Sequence, residues 1–244
     1  TDRQIVQMAE LLEKQKPKLS ATTKALILEI WVSQELGRHK EINSKFFDKG
    51  IEVEEEAISL LTEVTGRLYI KNSDRYTNDY ITGEHDLDKD DEVVDIKSSW
   101  DIHTFLKAEV TNDNYWQLQG YMDLIDKPKG AIAYVLIDTP EHLILDEFRR
   151  ASWKLVSEDI PDQLKYQIAK NMLFTDEQFE IMKAAHFPDA DTSDWVPIPA
   201  ENRLRYFPVE RDRNAMAKAY ERIDLAREHY STIQLPSYEP AEVA

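Results

Sequence analysis

The chain has 244 residues, 42% of them hydrophobic, which suffices for one large domain or two small ones with a full core, and a single domain is the expectation. It contains no cysteine, which excludes disulfides, thiolate zinc sites, iron–sulfur clusters and cysteine nucleophiles, so any metal must be held by oxygen or histidine. A formal net charge of −17 argues against nonspecific coating of nucleic acid, because phosphate binding needs lysine and arginine to displace counterions. A metal or a confined basic groove can still give an enzyme local positive charge beneath an acidic exterior.

No apolar run approaches the ~18 to 20 residues that span a bilayer, and no charged-then-apolar leader suggests secretion, so a cytoplasmic protein without membrane contact is expected. Residues 3–15 and 20–37 carry helical spacing, with Ser20 as a cap and Gly37 as a stop. A third helix begins at Lys49-Gly50-Ile51. Ile51, Ala57, Ile58 and Leu61 share its buried face, Glu54 lies close to that face, and Glu52, Glu55 and Glu56 cover the outside. For any one of these acids a solvated helix charge is the default. Residues 68–72 and 79–83 read as strands joined by a polar loop, so that the hairpin after them belongs to a sheet of at least three strands.

Residues 83–99 carry the densest chemistry. An acidic turn, Asp88 to Glu92, separates two short strands, and the second, 92–97, is β-branched enough to be buried. Strand alternation puts Asp95 and Lys97 on one side and Val94 and Ile96 on the other, while cross-strand pairing brings Asp86 beside Asp95. Two carboxylates and a lysine at a sheet edge can hold a hard divalent cation and position a water. Three other readings stand beside this one. The seven acids from Glu84 to Asp95 can form a solvated turn, although Val93, Val94 and Ile96 oppose a wholly exposed segment. Asp86, Asp88 and Asp90 occupy the first, third and fifth places of an EF-hand loop, which then fails at Asp91 and Lys97 in place of glycine and glutamate. Asp95 and Lys97 can also form a structural ion pair.

Past a polar connection through Asp101 and His103, residues 114–125 read as a helix on which Gln117 and Tyr121, four apart, share a face. Residues 130–138 form a continuous apolar run suited to a central strand covered on both sides. Residues 143–187 read as two or three helices without a chemical motif, 189–199 as a loop, 202–210 as an edge strand because Pro208 cannot donate to a ladder, and 213–230 as a last helix. The end after Leu235 is expected to fray. The six histidines are scattered and are read as structural or surface residues.

The ordered set Lys49-Gly50-x-x-x-Glu54-x-x-Ala57, Gly83-x-x-Asp86, Asp95-Ile96-Lys97 and Gln117-x-x-x-Tyr121 resembles the PD-(D/E)XK nuclease superfamily, and within it the RecB-like and YqaJ-type (lambda exonuclease-like) branch common in phage recombination systems. The resemblance covers residues 45–138, with 202–230 completing the fold. It implies an α/β fold with a restriction-endonuclease-like core, a central mixed β-sheet flanked by α-helices, and extra N-terminal and inserted helices. Within a single nuclease domain, 1–49 would be N-terminal helices, 50–140 the catalytic core, 141–200 a helical insertion, 201–235 the completing strand and helix, and 236–244 a tail.

Carried over by position, the resemblance implies that Asp86, Asp95 and the Ile96 carbonyl ligate magnesium, with manganese as a substitute and Glu54 ligating directly or through water. Lys97 would orient or deprotonate the attacking water and help neutralise phosphate, while Gln117, Tyr121 and Ser98 would brace the site or contact DNA. Two departures stand out: Glu84-His85 precedes Asp86 where an apolar residue often does, and the cysteines of iron–sulfur relatives are absent. The function so implied is a metal-dependent deoxyribonuclease, an exonuclease ahead of an endonuclease, acting from ends of linear duplex or single-stranded DNA in phage-type recombination or DNA processing. A single-strand annealing recombinase, a homo-oligomer and the cytoplasm of a bacterial or phage-infected cell are its implied context. The rivals are an inactive nuclease-fold protein that holds DNA or a recombinase, and an acidic DNA mimic or scaffold.

Overall fold

Ser20 opens the first described helix as expected: its Oγ accepts from the Thr23 amide at 3.1 Å, and α1 (Ala21–Leu36) closes on Gly37, whose φ of 61° is a left-handed conformation open to glycine. The computed structural model describes residues 18–40, 45–156 and 159–236. The helix read over 3–15 and the tail beyond 236 lie outside the described residues. The chain groups into two units, Asn43–Asp212 and Thr1–Ile42 with Arg213–Ala244.

In the larger unit, the helix expected from Lys49 onward is two helices, α2 (Lys45–Glu52) and α3 (Glu54–Thr65), broken at Val53. The break changes which apolar residues are covered. Val53, Ala57, Leu60 and Leu61 are buried, whereas Ile51, expected on the buried face, is 74% exposed. Residues 68–72 do not form a strand; they reach the sheet through an isolated bridge from Lys71 to Leu87 and the buried Tyr69 side chain. Thr82 and Gly83 pair with Tyr76 and Thr77 as a separate two-stranded ribbon, β1 (Tyr76–Thr77) and β2 (Thr82–Gly83). The reason is local: Asn72 Oδ1 accepts from the Asp74 amide and Asn78 Oδ1 from the Tyr80 and Ile81 amides, turns that compete with strand pairing.

The acidic hairpin forms, with a tighter turn than expected. β3 (Leu87–Lys89) pairs antiparallel with β4 (Glu92–Ser98), so the reversal takes only Asp90 and Asp91, and Asp88 lies in the strand. Asp90 has a φ of 55°, a conformation that aspartate tolerates better than most residues. The polar connection that follows contains a short helix, α4 (Ile102–Leu106), started by a reciprocal cap between Asp101 and Thr104. Then come α5 (Asn112–Leu124) and β5 (Lys129–Val135), and β5 lies parallel to β4.

Further along are α6 (Glu141–Leu155), α7 (Asp162–Ala169), α8 (Asp176–His186) and the edge strand β6 (Leu204–Glu210), antiparallel to β5. The sheet order β3-β4-β5-β6 makes a mixed central sheet in which β5 is interior, as its unbroken apolar run implied. One face packs Val94, Ala131 and Ala133 against Leu61 of α3; the other packs Val93 and Ile132 against Leu118 and Met122 of α5. Each such fully buried aliphatic side chain contributes about 1.5 to 3 kcal/mol. Gly130 allows the close approach of α5, since a Cβ there would lie 2.9 Å from Leu118 Cγ. The inserted helices α6–α8 keep a core of their own around Phe148, Tyr166, Phe179 and Phe187.

In the other unit, α9 (Arg213–Ser231) packs with α1, and the Tyr230 hydroxyl meets Glu35 Oε1 at 2.7 Å. Among the described residues no helix is long and apolar enough to cross a membrane.

Candidate active site

β4 places Asp95 and Lys97 on the α5 side of the sheet, next to a cleft of about 400 Å³ lined by Gly50, Ile51, Glu54, Asp86, Ile96, Lys97 and Ser98. Asp86 stands just before β3, one rung beyond the Leu87–Val94 pair, where antiparallel register sets it opposite Asp95. Its Oδ2 accepts from the Ile96 amide at 2.9 Å. The cross-strand juxtaposition expected of Asp86 and Asp95 therefore forms, held by backbone as well as by register.

Asp95 is fully buried, which the surface ion-pair reading did not anticipate. Lys97 Nζ lies 2.8 Å from Asp95 Oδ2 as an ion pair, and among the described residues no well-aligned donor reaches either Asp95 oxygen. Burial pushes Asp86 up to about 6; the charge of Asp95 adds to the shift, and the Ile96 amide and Lys97 oppose it. Burial likewise raises Asp95 against the pull of Lys97. Burial works against the Lys97 ammonium, yet the two carboxylates hold its pKa above the ordinary lysine value. In this arrangement Lys97 is a cation.

Lys97 Nζ also donates to Gln117 Oε1 at 3.3 Å, and Gln117 Nε2 donates to the Tyr121 hydroxyl at 2.9 Å. The helical pair thus reaches the site as one chain of contacts. Gly83 makes room for it, since a Cβ there would sit 2.8 Å from Tyr121 Cε1. His85, which breaks the apolar pattern before Asp86, is 2% exposed beside the Tyr76 ring, so it occupies the buried position that an apolar residue would fill.

Glu54 lines the same cleft, but its carboxylate is paired with Lys71 Nζ. Sequence reading missed Lys71, because nothing local signals an ion pair across seventeen residues. It also left Lys49 as an unexplained member of a motif. Lys49 is 1% exposed, and its Nζ donates to Ser99 O at 2.8 Å, Trp100 O at 3.1 Å and Thr139 Oγ1 at 2.8 Å. Burial lowers its pKa to about 7, against the charges of Asp138 and Asp101.

A fully buried Asp95 facing a half-buried Asp86, with the single Lys97 ammonium at Asp95, is short of positive charge; oxygen groups so placed fit a hard divalent cation. Among the described residues no three histidine, aspartate or glutamate side chains are gathered as a ready metal cage, consistent with Glu54 being turned to Lys71.

The mixed sheet flanked by helices is the fold that the resemblance to the PD-(D/E)XK nucleases implies, and it is shared with solved phage-type exonucleases. Among solved structures, the chain is similar to a phage related exonuclease from Haemophilus somnus 129PT, at 26% identity and a TM-score of 0.61, covering 87% of this chain and 82% of that one. It shares its fold with an alkaline exonuclease (LHK-Exo) from Laribacter hongkongensis, at 13% identity and a TM-score of 0.53 over 88% and 82% of the two chains. The same holds for LHK-Exo in complex with dAMP, at 13% identity and a TM-score of 0.52 over 87% and 81%. No family model and no curated protein matches the sequence.

Proposed function

We propose that the chain is a metal-dependent deoxyribonuclease that hydrolyses phosphodiester bonds from DNA ends. The observation that carries this reading is the facing Asp86–Asp95 pair, Asp95 fully buried and Asp86 half-buried at the cleft, short of positive charge and with Lys97 beside it. Magnesium, or manganese in its place, would be held by Asp86, Asp95 and the Ile96 carbonyl, with Glu54 released from Lys71 as a further ligand, and when bound supplies Lewis acidity and an activated water. Lys97 offers an ammonium to a phosphate oxygen and orients a water by donating to it, while Gln117 fixes that ammonium and Tyr121 fixes Gln117. Ser98 lines the cleft where the DNA backbone would lie.

Attack from ends is supported by the similar structures being those of exonucleases, one of them in complex with dAMP, a single nucleotide. The net charge of −17 supports it as well, because an acidic protein holds DNA best within a narrow groove, which a free end enters more easily than a closed duplex. A phage recombination setting, an annealing recombinase as partner, a homo-oligomer and a cytoplasmic location belong to the same reading. Asp86, Asp95 and Lys97 standing together at one cleft speak against an inactive DNA holder, and an acidic mimic would have no use for such a lysine or for the Gln117–Tyr121 pair. Incubation of end-labelled linear duplex beside a covalently closed plasmid, with magnesium or with chelator, tests the proposal. Magnesium-dependent loss of label with an intact plasmid is expected, and prompt linearisation of the plasmid at a comparable rate contradicts attack from ends.

A further inference from the structure

We infer that Lys49 is a positioning residue that sets the spacing between the two walls of the active-site cleft, a role that rests on the nuclease reading of that cleft. One wall begins at Gly50 and Ile51, immediately after Lys49, and runs to Glu54; the other is Asp86 with Ile96, Lys97 and Ser98. The Lys49 ammonium spans from the first wall to the chain that leaves the second. It donates to the carbonyls of Ser99 and Trp100, the two residues directly after Ser98, and to the Thr139 hydroxyl in the segment after β5. Ser99 is itself fixed to β5 through its amide, which donates to Val135 O at 2.9 Å. Nζ thus meets three oxygen partners drawn from both sides, and any movement of Nζ moves both walls.

A buried ammonium is an expensive way to join two elements. Apolar side chains of similar volume join helices and strands at lower desolvation cost, and what a buried charge adds is direction, because its donors accept only one arrangement of partners. The surroundings are built to tolerate it. Nζ lies 5.9 Å from the Trp100 ring centroid and 5.8 Å from that of Phe174. Asp101 and Asp138 are the charges that face it, but each is engaged elsewhere: Asp101 caps α4, and Asp138 holds the Phe174 and Thr175 amides and the Thr175 hydroxyl. Lys49 thus has no carboxylate bonded to it, and its hydrogen bonds go to groups whose positions define the cleft.

The absence of cysteine makes the inference directly measurable. Spin labels on Ile51→Cys and Leu106→Cys, both exposed positions, report the distance between the α2 wall and the chain beyond β4 without any need for activity. In Lys49→Met, which fills the volume and lacks donors, the distance distribution should broaden and shift, and Thr139→Val, which removes one acceptor, should do so to a smaller degree. On linear duplex with magnesium, Lys49→Met should lose about tenfold or more in kcat with KM held within about twofold, the pattern of misplaced reacting groups. Converting Lys49→Cys with bromoethylamine, in denaturant before refolding and in a chain without the two labelling cysteines, restores an amine of lysine length and should restore the rate. An unchanged distance distribution in both variants overturns the inference whatever the activity. So does a fall in kcat that only tracks the folded fraction. A wild-type protein that cuts no DNA while its label distance still depends on Lys49 would overturn the nuclease reading and leave the spacing role standing.

Discussion

The amide of Ile96 donates to Asp86 Oδ2 at 2.9 Å, and this one bond docks the residue before β3 onto the strand that carries Asp95. A carboxylate used in this way is costly while it is ionised, because burial and Asp95 raise its pKa to about 6. Asp86→Asn keeps an acceptor for the Ile96 amide and removes the charge. In chelator, at neutral pH, its melting temperature should equal or exceed that of wild type, while cleavage in magnesium falls by at least about 100-fold. A clear drop in melting temperature together with retained cleavage would assign Asp86 to structure alone.

Lys97 is the cation beside a carboxylate that is 0% exposed, so its removal costs more than the loss of a surface pair. Lys97→Ala should lower cleavage by about 100-fold or more and, in chelator, destabilise the fold by about 1 to 3 kcal/mol, because Asp95 is then buried without a partner. Adding Asp95→Asn to Lys97→Ala should return most of that stability. Denaturant titration of the four proteins measures it, and additive losses would contradict the pairing.

Gln117 links Lys97 to Tyr121, so the helical pair acts as a unit. Gln117→Ala and Tyr121→Phe should each lower kcat by about tenfold, and the double variant should fall little further. Gln119, on the far side of the same helix, is an unsuitable control: it is buried, donating to Glu210 O at 2.8 Å and accepting from the Asp212 amide at 2.7 Å. Multiplied losses in the double variant would mean that the two side chains act separately.

Lys49 gives a pH signature of its own. Its pKa falls from the ordinary lysine value of 10.5 to about 7 on folding, so between these values the unfolded chain holds a proton that the native protein has shed. Stability from this group therefore rises with pH across that window and is lost as pH falls through about 7. Relative to Lys49→Met, wild type should gain on the order of a few kcal/mol between pH 7 and 10.5. Denaturant unfolding of both proteins at several pH values checks this, and a pH-independent difference would contradict a buried, desolvated lysine.

Much of the core is legible where one periodicity acts alone. The alternation of Val94 and Ile96 with Asp95 and Lys97 places each side chain on its observed face, and the apolar run from Gly130 announces the interior strand. Legibility ends where local and distant interactions compete. The Asn72 and Asn78 turns outbid strand propensity in the 68–83 segment, and the helix break at Val53 turns Ile51 outward. At the site, Asp86, Asp95, Lys97, Gln117 and Tyr121 are legible because strand register and helix spacing bring them together. The Glu54–Lys71 pair and the burial of Lys49 depend on which loops the sheet folds against, and a lone lysine or glutamate carries no such information.

The most direct measurement is the release of nucleotides from linear duplex DNA in magnesium by wild type and by Asp95→Asn, with the folded fraction of each monitored in parallel. Asp95 is a fully buried carboxylate whose charge is costly without a metal, so Asp95→Asn should fold as well as wild type, release nucleotides at least about 100-fold more slowly, and match wild type in chelator. Folded Asp95→Asn that degrades DNA at the wild-type rate would contradict a metal-dependent nuclease site at Asp86, Asp95 and Lys97.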